Sequence, residues 1–249
     1  MRLKDKTAIV TGAASGFGEA IARHFAAEGA KVIVADIQEA AGRKVAEEIG
    51  AAATFVKCDV TSAADWKACV QEAVDTFGRL DICVNNAGYS HYNKPMLEVD
   101  EDDFDRTYAV NVKGLYHSAH AVLPVFRAQG DGGCFLNIAS TAGVRPRPGL
   151  SWYNSSKFAA IGVTKSMAVE LAPEQIRVCA LNPVAGETPL LERFMGEDTP
   201  EKRAAFKASV PMGRLSKPED IARAAVFLCS DDAEFLTGVC MEVDGGRCI

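Results

Sequence analysis

The chain has 249 residues, 48% of them hydrophobic, with 33 acidic against 27 basic side chains and a net charge of −6. That balance belongs to an ordinary globular protein. It speaks against a general nucleic-acid binder, which would present a basic stripe, and gives no reason to expect a membrane partner.

In chain order, Thr7–Thr11 (TAIVT) reads as a buried strand and Gly16–Glu28 as a helix with Ile21, Ala22 and Phe25 on one face. Lys31–Asp36 is a second strand and Gln38–Ile49 a helix; Thr54–Asp59 is a third strand and Ala63–Phe77 a helix. Leu80–Asn85 is the fourth strand, followed by a long helical pattern over Asp102–Gln129 in which Pro124 predicts a kink or bulge. Gly133–Ala139, Arg177–Asn182 and Val239–Val243 complete the strands, with helices over Trp152–Leu171 and Lys217–Cys229. Strands apolar on both faces, each followed by a helix, predict a parallel sheet covered on both sides by right-handed crossovers. The expected fold is α/β, a single doubly wound Rossmann domain over 1–249 with a seven-stranded parallel sheet. The one long irregular stretch, 183–211, reads as a substrate loop or lid.

The first strand begins so near Met1 that no signal peptide is expected, and no apolar run reaches membrane-spanning length. The expected location is the cytoplasm. The eight cysteines form no Cys-x-x-Cys or Cys/His cluster, so reduced thiols and no metal site are expected.

Chemistry first appears at Thr11-Gly12-Ala13-Ala14-Ser15-Gly16-Phe17-Gly18, between a strand and a helix. Glycines there let the backbone approach a pyrophosphate at the helix N-terminus. Asp36 ends the second strand, where a carboxylate can accept both ribose hydroxyls of NAD and repel a 2′-phosphate. Ser15 and Ile37 are uncharged where an NADP pocket would want a basic group. Further on, Ser140 ends the fifth strand, and Tyr153 and Lys157 lie one helical turn apart on a shared face. A neighbouring ammonium, helped by a positive nicotinamide, would bring the phenol toward a working pKa, and Ser140 would polarise a carbonyl. Tyr-x-x-x-Lys by itself is common on surface helices; its weight comes from the company it keeps.

That company includes Asp59-Val60, Asn85-Asn86-Ala87-Gly88, Asn111, Asn182-Pro183 and the terminal Val243-Asp244-Gly245-Gly246. In this order, over essentially the whole length, the sequence resembles the short-chain dehydrogenase/reductase family. The resemblance implies that Asp59 and Val60 hold adenine, that Asn86, Ala87 and Gly88 flank its ribose, and that Asn111 holds a water in a proton relay. It implies that Lys157 also bonds the nicotinamide ribose, and that Pro183, Gly186 and Thr188 contact the nicotinamide end. It further implies a homotetramer, packed through the 102–129 and 152–171 helices and through 239–249. The chain departs from the family in having Val184 directly after Pro183, although the count to Thr188 is kept.

The expected partner is a small-molecule alcohol or carbonyl, with no nucleic acid and no membrane. Ligands of open α/β sheets lie beyond the carboxyl ends of the strands, which makes His91, Arg145, Trp152, Leu190 and Phe194 the candidate substrate contacts. Their character suits an aromatic substrate, and Arg145 with Arg147 could pair an anionic group. The stretches 143–153 and 182–199 resemble a bacterial subgroup of aryl-alcohol dehydrogenases, some of which act on sulfonated benzyl alcohols. The reading is an NAD(H)-dependent oxidoreductase with Tyr153 as acid/base. Its rivals are an NADPH-dependent ketoreductase of 3-oxoacyl or sugar type and a non-catalytic dinucleotide sensor.

Overall fold

Alternation along each strand divides the core into two layers, one on each face of a central sheet. The computed structural model describes residues 1–249. Its strands are β1 (Thr7–Thr11), β2 (Lys31–Asp36), β3 (Ala53–Lys57), β4 (Ile82–Asn85), β5 (Gly133–Ile138), β6 (Ile176–Pro183) and β7 (Cys240–Val243). All seven pair in parallel, in the order β3-β2-β1-β4-β5-β6-β7. This is the doubly wound α/β sheet the sequence pattern predicts.

The helices are α1 (Gly16–Ala27), α2 (Glu39–Ile49), α3 (Ala63–Phe77), α4 (Glu101–Tyr108), α5 (Gly114–Gln129), α6 (Ser151–Leu171), α7 (Leu191–Met195), α8 (Pro200–Ala208) and α9 (Pro218–Cys229). Ala8, Val10, Val34 and Leu136 face one layer, where they meet Ile21 and Phe25 of α1, Val45 of α2 and Ile221 and Leu228 of α9. Ile9, Ile33 and Phe135 face the other, against Trp66 of α3, Phe126 of α5 and Leu171 of α6. At about 25 cal/mol per Å² of apolar surface removed from water, such two-sided burial is the main force holding the fold. The strand order reverses beside β1, so a crevice opens beyond the carboxyl ends of β1 and β4.

The structure departs from the sequence pattern in two places. The expected helix over 102–129 is α4 and α5 joined by a widened π-turn at Ala109–Lys113. Pro124 lies inside α5, which runs through it, so the bulge sits a dozen residues upstream, around Asn111. Inserted residues of this kind often mark functional positions. The second departure is the stretch 183–211, which contains α7 and α8. Thr199 caps α8, accepting from Lys202 N at 3.3 Å, and Pro200 fills its first turn. That pair is a helix-start signal readable in the sequence. All eight cysteines are free thiols, six of them buried. No helix is long and apolar enough to cross a membrane.

Candidate active site

The crevice begins at the turn from β1 to α1. Gly12 and Gly16 adopt φ of +63° and +57°, a region that disfavours any side chain. A Cβ on Gly18 would collide with the Gly12 carbonyl oxygen and with Asn86 Nδ2. The end of β4 is tied to this turn: Asn86 Nδ2 donates to Thr11 O at 2.8 Å and Gly12 O at 3.1 Å. The amides of Asn86 and Ala87 both donate to Thr11 Oγ1, at 3.0 and 3.1 Å. Asp36 is buried at the end of β2. Its two oxygens accept from Ala14 N and Gln38 N, each at 2.9 Å, leaving one lone pair on each free.

Across the switch point, Ser140 follows β5, and Tyr153 and Lys157 lie on the first two turns of α6. Ser140 Oγ accepts from Ala142 N at 3.0 Å, which leaves its hydrogen for Tyr153. The Tyr153 phenol is 5% exposed. Burial pushes it up to about 12, and donation from Ser140 opposes only part of that rise. Lys157 lies beside its ring. Its ammonium is 5.8 Å from the Tyr153 ring centroid and donates to Ile138 O at 2.9 Å, and burial brings Lys157 itself down to about 8. Desolvation therefore outweighs the pairing within the chain's own groups.

A buried polar ladder fixes α6 against the sheet. Asn85 Nδ2 donates to Asn137 Oδ1 and Asn137 Nδ2 to Thr164 Oγ1, both at 2.9 Å. Thr164 lies seven residues beyond Lys157, two helical turns along the same face, so the ladder sets the rotation of α6 that presents Tyr153. Asn85 belongs to a motif expected to stabilise the sheet, but the sequence reading attached no role to Asn137 or Thr164. Asn111, in the π-turn, donates through Nδ2 to Tyr89 O and Ser156 Oγ and accepts from Tyr89 N, all at 2.9 Å. It anchors the Tyr89 main chain to α6.

Glycine turn and trio share one cleft of about 310 Å³. Of the sequence-selected residues, Gly12, Ser15, Gly16, Phe17, Asp36, Ile37, Asp59, Val60, Asn86, Ala87 and Gly88 line it, with Ser140, Tyr153 and Lys157. So do Pro183, Gly186, Thr188, Leu190 and Phe194, the last with its ring 5.0 Å from that of Tyr153. Five selected residues do not line it. Gly18 and Asn111 sit behind the wall already described. His91 is fully buried, with Nδ1 2.8 Å from Tyr92 O. Trp152 packs edge-on against Phe104 at 5.3 Å and donates to Met96 O at 3.4 Å. Arg145 turns away from the cleft and donates to Arg247 O at 2.6 Å.

The structure adds residues that the sequence reading missed. Asn93 N donates to Arg193 O at 2.8 Å, and its Nδ2 donates to Pro148 O at 3.0 Å and Phe194 O at 3.2 Å. One side chain thus joins the loop after β4, the loop before α6 and helix α7. Arg193 reinforces the join, lying over the rings of Tyr89 and Tyr92 and donating to Ser90 O at 2.9 Å. Arg106, the only arginine in the cleft wall, also lies over the Tyr89 ring, 4.5 Å from its centroid.

The arrangement has counterparts among known proteins. The family profile described as enoyl-(acyl carrier protein) reductase matches residues 12–247, from the glycine turn to the C-terminal turn. The chain belongs to the short-chain dehydrogenase/reductase family. Membership makes it an oxidoreductase, and the relatives divide between dehydrogenases and ketoreductases. The chain is 52% identical to 4-formylbenzenesulfonate dehydrogenase TsaC1/TsaC2 of Comamonas testosteroni over 99% of both chains. It is 41% identical to galactitol 2-dehydrogenase of Agrobacterium fabrum, again over 99% of both. The crystal structure of 3-ketoacyl-(acyl-carrier-protein) reductase from Brucella melitensis complexed with NADH superposes with a TM-score of 0.94. It is 49% identical and covers 99% of this chain and 100% of its own.

Proposed function

We propose that this chain is an NAD(H)-dependent dehydrogenase that interconverts an alcohol and a carbonyl, with Tyr153 as acid/base and an aromatic compound as substrate. The observation that carries the reading is a single cleft joining Ser140 and the buried Tyr153 and Lys157 to a glycine turn and to Asp36. The residues present fit a nicotinamide dinucleotide. Gly12 and Gly16 form a side-chain-free cradle at the N-terminus of α1, where amides and helix dipole favour a pyrophosphate. Asp36 keeps a lone pair on each oxygen for ribose hydroxyls, has no ion-pair partner, and is followed by the exposed, uncharged Ile37. A 2′-phosphate beside that carboxylate would be opposed by roughly 1 to 4 kcal/mol, which favours NAD over NADP.

When bound, the nicotinamide supplies the hydride acceptor for alcohol oxidation, or the hydride donor in reverse. Ser140 donates to the substrate oxygen and holds it beside the Tyr153 phenol. Tyr153 takes the hydroxyl proton as the alcohol is oxidised, and returns it to the carbonyl oxygen in reduction. Its pKa of about 12 in the chain alone lies too high for a base at neutral pH. Cationic charge beside the phenol, from Lys157 and from the oxidised ring, is what would bring it down. Phe194, Leu190 and Tyr89 form an apolar wall beside the phenol that suits an aromatic ring. Arg106, which has no ion pair, would serve an anionic ring substituent such as the sulfonate in the relative's name.

Tyr153→Phe should lower turnover by about a thousandfold or more while NADH fluorescence titration shows unchanged binding. Undiminished turnover would remove the acid/base assignment. In a cofactor comparison on the wild type, kcat/KM should favour NAD over NADP; a preference for NADP would favour the ketoreductase reading. The apolar groove of about 610 Å³ between α4–α5 and α6, lined by Tyr108, Val112, Leu115, Tyr116, Val163 and Met167, supports assembly through these helices into a tetramer. Light scattering at micromolar concentration tests that assembly. Eight free thiols suit a reducing, cytoplasmic setting.

A further inference from the structure

Three arginines converge outside the cleft, where the loop before α6, the end of α8 and the C-terminal turn meet. Arg247 is only 8% exposed, and its Nε and Nη1 are buried without any hydrogen-bond partner. Arg145 reaches it through the main chain, donating to Arg247 O at 2.6 Å and Ile249 O at 3.3 Å. Arg147 lies 4.3 Å over the Phe206 ring of α8 and donates to Ser209 Oγ at 3.0 Å. None of the three is paired with an acidic side chain. The acid of the same turn, Asp244, is occupied by the amides of Gly246 at 2.8 Å and Cys248 at 2.7 Å.

Buried guanidiniums are almost always paired, because desolvating an unpaired charge is costly and the planar fork demands acceptors. Here burial and the like charges of Arg247 and Arg145 hold Arg147 down at about 10, so the cluster opposes itself. An oxyanion relieves every part of this. It offers acceptors to Arg247, neutralises the mutual repulsion, and suits the bidentate geometry of guanidinium.

We propose that Arg145, Arg147 and Arg247 form an oxyanion site, separate from the catalytic cleft, that locks α8 to the C-terminal turn and to the loop before α6. Its ligand is a sulfate-, phosphate- or carboxylate-type group. The source is either a free small anion or a carboxylate of a second copy of this chain.

Thermal unfolding in sodium sulfate and in sodium chloride at equal ionic strength tests the site. Saturating NADH is present throughout, and light scattering follows the same samples. The proteins are wild type, Arg147→Met and Arg247→Met. For a free anion, about 10 mM sulfate should raise the wild-type Tm by about 3 °C over chloride, with the increment lost in Arg147→Met. For a carboxylate from a second copy, Tm should be the same in the two salts. The wild-type assembly should then be lost or weakened at least tenfold in Arg147→Met. Either result supports the site. A sulfate increment equal in all three proteins, or no difference in Tm or assembly between wild type and Arg147→Met, would overturn it. Arg147 is less buried than Arg247 and makes one side-chain hydrogen bond, to Ser209, besides its stacking on Phe206, so its variant keeps the test valid if Arg247→Met fails to fold.

Discussion

The two ends of the cleft are built differently. The glycine-turn end is assembled from main-chain geometry: positive φ at Gly12 and Gly16, a helix N-terminus, and carbonyls gathered by Asn86. The end we assign to substrate is assembled from side chains that join segments far apart in sequence, as when Asn93 ties Pro148 to Phe194. The first kind of construction tolerates almost no change in its residues. The second can vary as long as the segments stay joined, which is how one fold can serve many substrates.

Gly18→Ala breaks the rigid end and should have the largest effect of the changes compared here. The new methyl meets the Gly12 carbonyl oxygen, backbone that cannot swing aside. Dinucleotide affinity should fall by about a hundredfold or more, with stability lowered by about 2 kcal/mol. Titration with NADH and chemical denaturation would measure both. An unchanged affinity would mean that the turn is softer than its geometry implies. Asp36→Ala sharpens the same end: NAD should bind about tenfold more weakly, NADP no worse than before, and the ratio of their KM values reads the change.

On the substrate end, Asn93→Ala should leave the fold and dinucleotide affinity intact while freeing α7 from two loops. KM for a benzylic alcohol should rise about tenfold, with a smaller fall in kcat. Equal effects on dinucleotide and alcohol KM would erase the distinction between the two ends. Arg106→Ala should be milder still, raising KM severalfold for a sulfonated benzyl alcohol and leaving an uncharged one alone.

The same difference explains what was legible in the sequence. Sheet, helix order and glycine turn rest on local periodicity and backbone demands, so TAIVT followed by Gly12, Gly16 and Gly18 could be read directly. Ser140, Tyr153 and Lys157 drew attention through their spacing and company. Asn93 carries no local mark, because its partners lie 55 and 101 residues away. Asn137 and Thr164 look like incidental polar residues until the sheet brings Asn85 beside them. Arg145, in the loop before α6, and Trp152, in its first turn, stand near the cleft but turn away from it, since side-chain direction there is decided by tertiary packing. Pro124 predicts a kink or bulge because a proline inside a helix is a visible cause of such a defect. The insertion at Ala109–Lys113 instead lets Asn111 reach both Tyr89 and Ser156.

The last expected effect concerns stability against pH and rests on Lys157, whose buried ammonium lines the cleft. Its folded-state pKa is about 8, below the unfolded lysine value of about 10.4. Between those two values the unfolded chain holds a proton that the folded chain has released. The linkage slope is then positive, and stability rises with pH across that window. Below about pH 8 both states are charged, and folding bears the full cost of burying the ammonium. Tyr153 acts in the opposite direction at higher pH, because its folded pKa lies above the free value and costs stability from about pH 10 to 12. Comparing wild type with Lys157→Met cancels the tyrosine contribution. Without added dinucleotide, the wild type should gain on the variant by about 2 kcal/mol between pH 7.5 and pH 10. The bond to Ile138 O sets only a constant offset in this comparison, so the slope isolates the charge. Parallel stability curves over that range would mean that Lys157 keeps its proton in the folded state. Its ammonium would then be present to act on Tyr153 at every working pH.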